Sequence, residues 1–524
     1  MRALFALFTR SIREDARARV PTILRATLVL VILLLLWGNQ SDFARRTAPG
    51  REFLFMTLFA NLAFLAIATL GNFASAITEE KEDQTLTLLR MTNLSALAIL
   101  FGKGTSRLFG ALLLLAVQVP FTLLAVTLGG VSREQVLQAY AILGATTFFL
   151  CNLALLCSVA CRTTLRSGVW TGIIGGVLYG LLPVICITGA LGGMKPGYFT
   201  PSTMWQHFSV WVVEANPVCA LILLLENQTA AGLVARHVAL NVAAGCLFFL
   251  LSWLLFDRFC ATAGEIVARR KRGTADNPGG GVRLTGRPSV RRPLAWKDFH
   301  FQIGGWRWLF LRVLICGLLF FIAYAIVRWV DGRPPKADYF WRNVGQGSMV
   351  FALGLFGLEL ALLASRIFGD ERRALTLGGL VGLPRTTGWL IRQKLLGCIP
   401  VLLPSTALVA VSFWLSSRSW LIDGNWTIRD LNHEVVVAIF YILTQVVLLP
   451  LIIAYLSLRI RRGAMPAGVA ILTVGNILTF VLAVIGSGRD AEAALIFMAF
   501  IEWLIAIFLI AQIFLRIPQA AAAE

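Results

Sequence analysis

Two carboxylates interrupt long apolar stretches of the sequence, where an ionisable group is both costly and able to do chemistry. Glu359 follows Leu358, and Glu502 precedes Trp503. An ionisable side chain at membrane depth costs about 2.5 kcal/mol or more, so it suggests a function by default. We interpret both carboxylates as possible lining of a transport pathway. The alternatives are a structural ion pair, for instance between Glu359 and Arg312, and a protonated glutamate that hydrogen-bonds to a neighbouring helix.

Motifs for nucleotide or acyl chemistry are missing from the sequence. The run Gly102-Lys103-Gly104-Thr105 approaches the phosphate-binding pattern GxxxxGK[ST], but the first glycine of that pattern is absent and Gly104 replaces Ser or Thr. No GxSxG nucleophile motif occurs. We therefore expect that the chain is not an enzyme and that any ATP hydrolysis belongs to another chain.

The cysteines and histidines do not have the spacing of metal ligands. The nine cysteines form no CxxC pair, and most lie in apolar runs as small packing residues. The four histidines are never three or four residues apart, so they could not share one helical face. We expect no metal site and no disulfide framework.

Composition places the chain among integral membrane proteins. Hydrophobic residues make up 58% and charged residues 14% of the sequence, whereas soluble domains carry about 25% charged residues. This excludes soluble, disordered and fibrous classes. The net charge is +20, which in a membrane protein indicates loops that face anionic lipid on the cytoplasmic side rather than a nucleic-acid partner.

The hydropathy pattern predicts an all-α fold with about 12 transmembrane helices. A helix needs about 20 apolar residues to cross the hydrocarbon core. In the first half we predict spans at 22–38, 54–77, 108–128, 138–161, 168–192 and 233–256. In the second half we predict spans at 308–330, 347–368, 395–415, 434–458, 464–486 and 491–515.

The distribution of basic residues predicts the orientation. With both termini cytoplasmic, 32 of the 47 Lys and Arg residues fall in cytoplasmic segments and 11 in outer ones, as the positive-inside rule requires. A further apolar stretch, 208–225, is interrupted by Glu214, Asn216 and Pro217. If this stretch crossed the membrane, the basic residues of 257–307 would lie outside. We therefore predict a re-entrant or interfacial hairpin at the outer face.

Two further segments complete the domain organisation. The apolar residues before Arg10 are too few for a signal peptide, and Arg13, Arg17 and Arg19 follow them, so we predict an amphipathic interfacial helix ahead of the first span. Residues 257–307 form a basic, glycine-rich stretch that we predict to be a cytoplasmic linker. It separates a first half, residues 1–256, from a second half, residues 308–524.

An internal repeat relates the two halves at a constant spacing of 291 residues. The first copy contains Glu79, Glu80, Lys81, Thr85, Leu86, Leu89, Ser95 and Lys103. The second contains Asp370, Glu371, Arg372, Thr376, Leu377, Leu380, Thr386 and Lys394. Each half has an even number of predicted spans, so the two copies have the same orientation and form a parallel repeat. Each copy is either a short helix along the membrane surface or a solvated loop with interfacial anchors.

The first copy resembles a motif of ABC-2-type transporter permeases. The residues that carry the resemblance are Glu79-Glu80-Lys81-Glu82, Thr85-Leu86, Leu88-Leu89, Ser95, Gly102-Lys103 and Gly129-Gly130-Val131-Ser132. The segment Pro293-Leu294-Ala295-Trp296-Lys297-Asp298 is similar to the stretch before the first span in such permeases. The resemblance covers both halves. The chain therefore looks like two six-span permease halves fused together.

This resemblance implies a function and partners. The chain would move substrate across the plasma (inner) membrane, with export favoured, and would bind no cofactor itself. ATP and Mg would be held by separate ABC ATPase subunits, two per complex, that dock on coupling helices within 78–103 and 369–394. The implied docking residues are Glu79, Glu80, Lys81, Thr85, Leu86, Leu89 and Lys103, with Asp370, Glu371, Arg372, Thr376, Leu377 and Lys394. Membrane lipids would be its other partners.

The sequence departs from the family pattern in its second half. Gly378-Gly379 replaces Thr87-Leu88, and only the first half has a long outer segment, 193–232. The halves are therefore expected to be functionally unequal. The main alternative function is a secondary transporter that couples to ions or protons through Glu359 and Glu502. A membrane enzyme acting on lipid or polyisoprenoid substrates is a third reading.

Overall fold

Helices form all the regular structure in the part of the chain that the structure describes. The computed structural model describes residues 19–38, 49–91, 95–183, 210–226, 231–260, 292–303, 305–306, 308–315, 317–318, 337–422, 433–460, 463–485 and 489–523. The predicted amphipathic helix before Arg19, most of the linker (261–291) and most of the predicted span 308–330 lie outside the described residues.

The helices are numbered here in chain order. Those before the linker are α1 (Arg19–Gly38), α2 (Pro49–Ala68), α3 (Thr78–Glu82), α4 (Leu86–Met91), α5 (Ala96–Val117), α6 (Val119–Thr127), α7 (Arg133–Ala160), α8 (Thr164–Gly176), α9 (Pro217–Glu226) and α10 (Ala231–Phe259). Those after it are α11 (Pro293–Lys297), α12 (Ala337–Ile367), α13 (Gly369–Arg373), α14 (Leu377–Val381), α15 (Thr387–Ile422), α16 (His433–Arg459), α17 (Ala464–Ile485) and α18 (Arg489–Ala522). Wider π turns extend α2 through Thr69–Phe73 and α8 through Val177–Leu181, and follow α11 over Asp298–Ile303.

Seven stretches among the described residues are long and apolar enough to cross a membrane. They are Pro49–Glu82, Ala96–Thr127, Arg133–Ala160, Gly232–Phe259, Thr387–Trp414, Phe440–Arg459 and Ile496–Ala522. Shorter apolar helices cover Pro21–Trp37, Pro217–Glu226 and Ala464–Thr479. The chain is therefore an all-helical membrane protein, as its composition predicts. Every predicted span other than 308–330 overlaps one of the helices α1 to α18.

Local sequence explains the tight turn between α6 and α7. Gly129 and Gly130 both have positive φ, 88° and 84°, a conformation that costs other residues more. Ser132 then caps α7: its Oγ accepts from the Gln135 N–H at 3.1 Å, and the Gln135 side chain accepts from the Ser132 N–H at 3.0 Å. This reciprocal capping box fixes where the helix begins.

The apolar stretch 208–225 is broken at Asn216. The Asn216 Oδ1 atom accepts from the N–H groups of Val218 and Cys219 at 2.8 and 3.1 Å, which caps α9, and Pro217 opens that helix. Helix α9 has 10 residues and is thus about 15 Å long, about half the thickness of the hydrocarbon core. It packs against α2, α7 and α10. Irregular backbone at membrane depth is tolerated only when it is buried in protein in this way.

Glycines bring helices of the two halves together. Helix α8 presents a glycine at every fourth position to α12, so the two backbones approach closely. The contacts are Gly168 with Leu362, Gly172 with Leu358 and Gly176 with Phe351. Because these glycines carry no Cβ, the larger side chains of α12 occupy the space beside α8.

A second contact between the halves is made by α17. Helix α17 packs along α1 and α2, and a Cβ on Gly71 would lie 3.0 Å from the Pro466 ring. Ala470 of α17 is buried in the apolar cluster of the first half. Thus the fifth predicted span of each half touches the second predicted span of the other half.

The glycine contact predicts a matched pair of substitutions. Gly176→Ala would put a methyl group within 2.5 Å of the Phe351 ring, whereas the same methyl at Gly175 would meet Leu153 at an ordinary 3.8 Å. We expect Gly176→Ala to destabilise the protein by about 1–3 kcal/mol, the usual cost of overpacking. Gly175→Ala should be neutral or slightly stabilising, because alanine is the better helix former. Thermal unfolding in detergent measures both. Equal melting temperatures would contradict the close approach of α8 and α12.

Candidate functional site

A half-buried carboxylate organises the first acidic segment, residues 78–103. Glu80 of α3 accepts from the Lys103 ammonium at 2.6 Å and from the hydroxyl of Thr85. Lys103 belongs to α5, the long helix that follows. The three side chains therefore close the turn that joins α3 and α4 and fasten it to α5.

The same three contacts occur in the second acidic segment, residues 369–394. Glu371 of α13 accepts from the Lys394 ammonium of α15 at 3.0 Å and from the hydroxyl of Thr376. Each partner lies 291 positions after its counterpart in the first segment. The predicted residues Glu80, Thr85 and Lys103, and Glu371, Thr376 and Lys394, are thus brought together in two matching sets.

The backbone of the two turns matches as well. Gln84 and Leu375, again 291 residues apart, are the only non-glycine residues with positive φ in the part of the chain that the structure describes, at 57° and 54°. Such a conformation costs of order 1–3 kcal/mol and persists only when the surroundings enforce it. The helix starts also agree: Ser95 Oγ accepts from the Ala98 N–H, and Thr386 Oγ1 accepts from the Trp389 N–H.

One leucine in each short helix anchors it to the membrane-spanning helices. Leu86 of α4 is 7% exposed and packs with Ile77, Ile99, Val159 and Phe256. Leu377 of α14 is 0% exposed and packs with Phe368, Leu390, Leu458 and Ile513. Leu89 and Leu380 add partly buried contacts to the same clusters. Each short helix therefore rests on its own half.

The second carboxylate is more deeply enclosed than the first. Glu371 is 3% exposed and Lys394 is 0% exposed, whereas about a fifth of the side-chain surface of Glu80 and Lys103 remains exposed. The difference comes from α11, whose Lys297 donates to Glu371 at 3.0 Å and whose neighbour Asp298 lies 3.4 Å from Lys394. The Pro293–Asp298 segment is thus part of the second site.

Electrostatics keep Glu371 ionised. Burial alone would raise its pKa, but the charge of Lys394 and the hydrogen bonds from Thr376, Lys297 and Lys394 outweigh it and lower the pKa of Glu371 to about 2. Burial raises the pKa of Asp298, and Lys394 opposes that rise. The cluster is therefore a stable ion pair rather than a proton-exchanging group at neutral pH.

The other predicted residues of the first segment also bind within the chain. Glu79 accepts from Arg107 at 3.1 Å. Lys81 donates to backbone carbonyls of residues 158, 159 and 161, at the C-terminal end of α7, where a cation is favoured. The hydroxyl of Ser158 accepts from the N–H groups of Ile77 and Thr78 at 2.8 and 3.0 Å. These contacts join α3 to the end of α7.

The remaining predicted residues of the second segment lie on α13. Asp370 faces Arg366 at 3.8 Å, one helical turn before it. Arg372, at the position equivalent to Lys81, is half-buried. Burial raises the pKa of Asp370, and Arg366 opposes that rise.

Direct contact of the predicted docking residues with a partner stays a prediction, and four of them are buried. Glu371, Lys394, Leu86 and Leu377 are buried within the chain, so a second protein could reach them only if they left their present partners. They position the short helices instead. The apolar side chains that the segments expose include Leu88 (63%), Met91 (75%), Leu375 (59%) and Leu383 (42%).

Glu82 belongs to the motif that carries the family resemblance but not to the predicted docking residues. It binds Arg366 and lies 3.9 Å from Arg373, both from the second half. It also accepts from the N–H and hydroxyl of Thr164 at 2.7 and 3.0 Å, at the start of α8. One feature of the sequence pointed to Glu82: the equivalent position of the repeat carries the opposite charge, on Arg373.

The intramembrane carboxylates have separate partners. Glu359 binds the guanidinium of Arg312 and accepts from Ser405 at 2.8 Å, and Arg312 donates to the Val401 carbonyl at 3.1 Å and lies 5.3 Å from the Trp308 ring centre. All of these belong to the second half. Both charged side chains are 1% exposed. These are the contacts of the structural ion pair that the sequence analysis kept as an alternative.

Glu502 has a neutral partner. Its carboxylate accepts from the Gln445 amide at 2.6 Å. A pathway role for Glu359 and Glu502 stays a prediction. Among the described residues, no three or more His, Cys, Asp or Glu side chains are grouped so as to hold a metal ion.

Comparison with known proteins adds no relative. No family model, curated protein or solved structure matches this chain.

The two acidic segments predict unequal effects of one substitution. Glu371→Gln leaves the buried Lys394 with less compensation, so we expect a loss of about 3 kcal/mol, the equivalent of the lowered pKa. Glu80→Gln acts on a partly exposed pair and should cost about 1 kcal/mol or less. Asp257→Asn is the control, since that carboxylate is 74% exposed in its pair with Arg90. Melting temperatures in detergent should fall most for Glu371→Gln. A larger fall in melting temperature for Glu80→Gln than for Glu371→Gln would contradict the deeper burial of Glu371.

The same pair predicts a pH dependence. The pKa of Glu371 lies at about 2, below its ordinary value of 4.5, so its stabilisation is complete above pH 4.5. It is lost as the pH falls from there towards 2. The difference in melting temperature between wild type and Glu371→Gln should therefore be constant at neutral pH and shrink below pH 4.5. A difference that grows on acidification would show that the glutamate is already protonated at neutral pH.

The buried ion pair predicts which intramembrane glutamate supports stability. Glu359→Gln leaves the Arg312 charge buried without a counter-ion, so we expect a loss of about 3–5 kcal/mol. Replacing both partners, Arg312→Met with Glu359→Leu, should recover most of it. Glu502→Gln should change the melting temperature little, since its partner Gln445 can still hydrogen-bond. A Glu359→Gln protein that melts like wild type but transports poorly would instead support the pathway role.

Proposed function

We propose that this chain is the membrane-spanning permease of an ABC transporter, with two six-span halves fused in one polypeptide. The observation that carries the proposal is the double set of contacts at 291-residue spacing: glutamate with lysine and threonine, a left-handed turn residue, and a buried leucine. Two equivalent surface segments suit a partner with two equivalent binding surfaces. In the family that the motif resembles, that partner is a pair of ATPase subunits.

The orientation follows from the charge distribution. Both acidic segments, the linker and both termini are placed in the cytoplasm, and the membrane is the plasma (inner) membrane. The parallel repeat brings both acidic segments to this side. The ATPases supply ATP and Mg, and this chain binds neither.

Exposed apolar side chains support a docking role for the short helices. Leu88 and Met91 of α4 project from the charged end of the first half, and Leu375 and Leu383 do so in the second. Contiguous exposed apolar groups beside charged residues are typical of interaction sites. We place the contact with the ATPases on these residues, with the glutamate–lysine pair of each segment holding the helices in position.

The anchoring of α4 supports a route for the mechanical coupling. Arg90 binds Asp257 at 2.5 Å and the Cys260 carbonyl at 3.0 Å, both at the end of α10. Helix α4 is therefore tied to the last span of its half as well as to α5. A movement of the bound ATPase would be passed to those helices, and we place the transport pathway between the two halves.

The second docking surface is the weaker one in this proposal. Gly379 occupies the position equivalent to Leu88, so α14 offers less apolar surface than α4. The tighter cluster around Glu371 holds α14 more firmly, however. The two ATPases would then contact unequal surfaces, the first more adhesive and the second more rigid.

One substitution tests the docking surface. In Leu88→Glu a charge is placed on a side chain that is 63% exposed, so the fold should tolerate it while the apolar contact is lost. We expect affinity-purified wild type to carry an ATPase subunit with a GxxxxGK[ST] motif, and Leu88→Glu to lose about tenfold of it, corresponding to about 1.4 kcal/mol.

Leu137→Glu is the matched control, because Leu137 is 71% exposed and lies near the start of α7, at the opposite end of that helix from α3. Its ATPase yield and the melting temperatures of both variants should equal those of wild type. Purification of the wild-type chain without any ATPase would refute the proposed function. If both variants lose the ATPase to the same extent, the docking surface does not lie on α4.

A further inference from the structure

Glu82 joins three elements from both halves. Its Oε1 atom accepts from Arg366 and from the Thr164 N–H, and its Oε2 atom accepts from the Thr164 hydroxyl and faces Arg373. The two arginines come from the second half, on α12 and α13, and Thr164 opens α8 of the first half. Glu82 therefore links the halves through two arginines at one carboxylate.

The contact between Glu82 and Arg373 places both beside a two-fold axis. The two positions are 291 residues apart, so they are equivalent in the repeat. A residue that touches its own equivalent must lie next to the rotation axis that relates the two copies. The helix contacts between the halves, α8 on α12 and α17 on α2, pair equivalent spans of the repeat in the same crosswise way.

Positions at such an axis determine which halves can pair. If two copies of the first half paired, Glu82 would face another Glu82. If two copies of the second half paired, Arg373 would face Arg373, with two Arg366 side chains nearby. Only the unlike pairing places a carboxylate against guanidinium groups, since Ser75 stands at the position equivalent to Arg366. Like charges at an interface are a general means of excluding the wrong partner.

We propose that Glu82, Arg366 and Arg373 form a charge code that restricts each half to the unlike half, so that one chain closes on itself as a complete permease unit. This inference rests on the proposed function only in treating the halves as equivalent. It assigns to the surface around Glu82 a specific occupant, the second half of the same chain. Charge excludes the first half of a second copy from that surface, because Glu82 would then face Glu82.

Burial supports a role in selection rather than in bulk stability. The side chains of Glu82, Arg366 and Arg373 are 21%, 9% and 31% exposed. Solvent screens such pairs partly, so each contributes modestly to the free energy. The difference between a Glu–Arg contact and a Glu–Glu or Arg–Arg contact is larger, because the sign of the interaction reverses.

Cysteines at the neighbouring equivalent positions test the pairing in the full chain. Asp83 and Ala374 directly follow the charged pair, are 291 residues apart and are exposed. The double variant Asp83→Cys with Ala374→Cys is treated with a short bifunctional maleimide, and the linked peptides are identified by mass spectrometry. We expect a link between positions 83 and 374 within one chain. Asp83→Cys alone and Ala374→Cys alone should give no link between two chains.

Charge reversal then tests the code itself. Glu82→Arg, added to the double-cysteine variant, should lower the yield of the link about fivefold, as a change of about 1 kcal/mol does. Arg373→Glu added to that variant restores opposite charges and should recover at least part of the yield. Glu134→Arg is the control, since it makes the same charge change at an exposed carboxylate of the first half and should leave the yield unchanged.

Two results would overturn the inference. The first is an 83-to-83 link between chains at a yield like that of the 83-to-374 link. The second is an unchanged yield in Glu82→Arg; if that protein is not recovered, Glu82→Gln must lower the yield for the inference to stand. None of these measurements involves an ATPase. A chain that links as expected but purifies without ATPase would refute the proposed function and leave the charge code intact.

Discussion

A carboxylate that must stay ionised at the end of apolar helices governs both acidic segments. Such a group needs a cation and several donors, because desolvation otherwise removes its charge. For Glu80 and Glu371, the cation is a lysine on the next long helix, and a threonine five residues later donates a hydrogen bond. To reach both the lysine and the threonine, the chain passes through a residue with left-handed backbone, Gln84 or Leu375. The turn that results directs Leu86 or Leu377 into the apolar cluster of its own half. The short helices thus follow from one electrostatic requirement.

The sequence analysis singled out these residues because they recur at constant spacing in a chain where charged residues are scarce. Only 14% of residues are charged, so a glutamate and a lysine that recur together at constant spacing have few other partners available. The same scarcity made Arg312 a natural candidate for Glu359. The helices were equally predictable, since apolar length alone determines most of them. The break at Asn216 was also readable, because an asparagine followed by proline is a helix start.

Burial and contacts across the halves could not be read from the sequence. The repeat makes Glu80 and Glu371 look alike, yet α11 encloses only the latter, and nothing local says that Lys297 folds back over residues more than seventy positions away. For the same reason the sequence does not show that a predicted docking residue such as Lys394 is buried. The partners of Glu82 could not be predicted, because Arg366 and Arg373 are separated from it by the whole linker and pairing across that distance depends on how the halves pack.

The two halves share one scaffold but differ in how tightly it is held. In the first, the glutamate–lysine pair is partly solvated and an exposed leucine follows; in the second, the pair is sealed and glycine replaces that leucine. Partly solvated ion pairs rearrange more readily than sealed ones, because water can replace each partner as it leaves. Helix α4 is therefore the one whose position can change at lower cost, while α14 serves as the fixed reference. The ion pairs of Glu82 connect the two segments, because Glu82 of the more loosely held first segment is bound by arginines of the second half. A displacement of α3 and α4 would consequently act directly on the contact between the halves, which is where the pathway is placed.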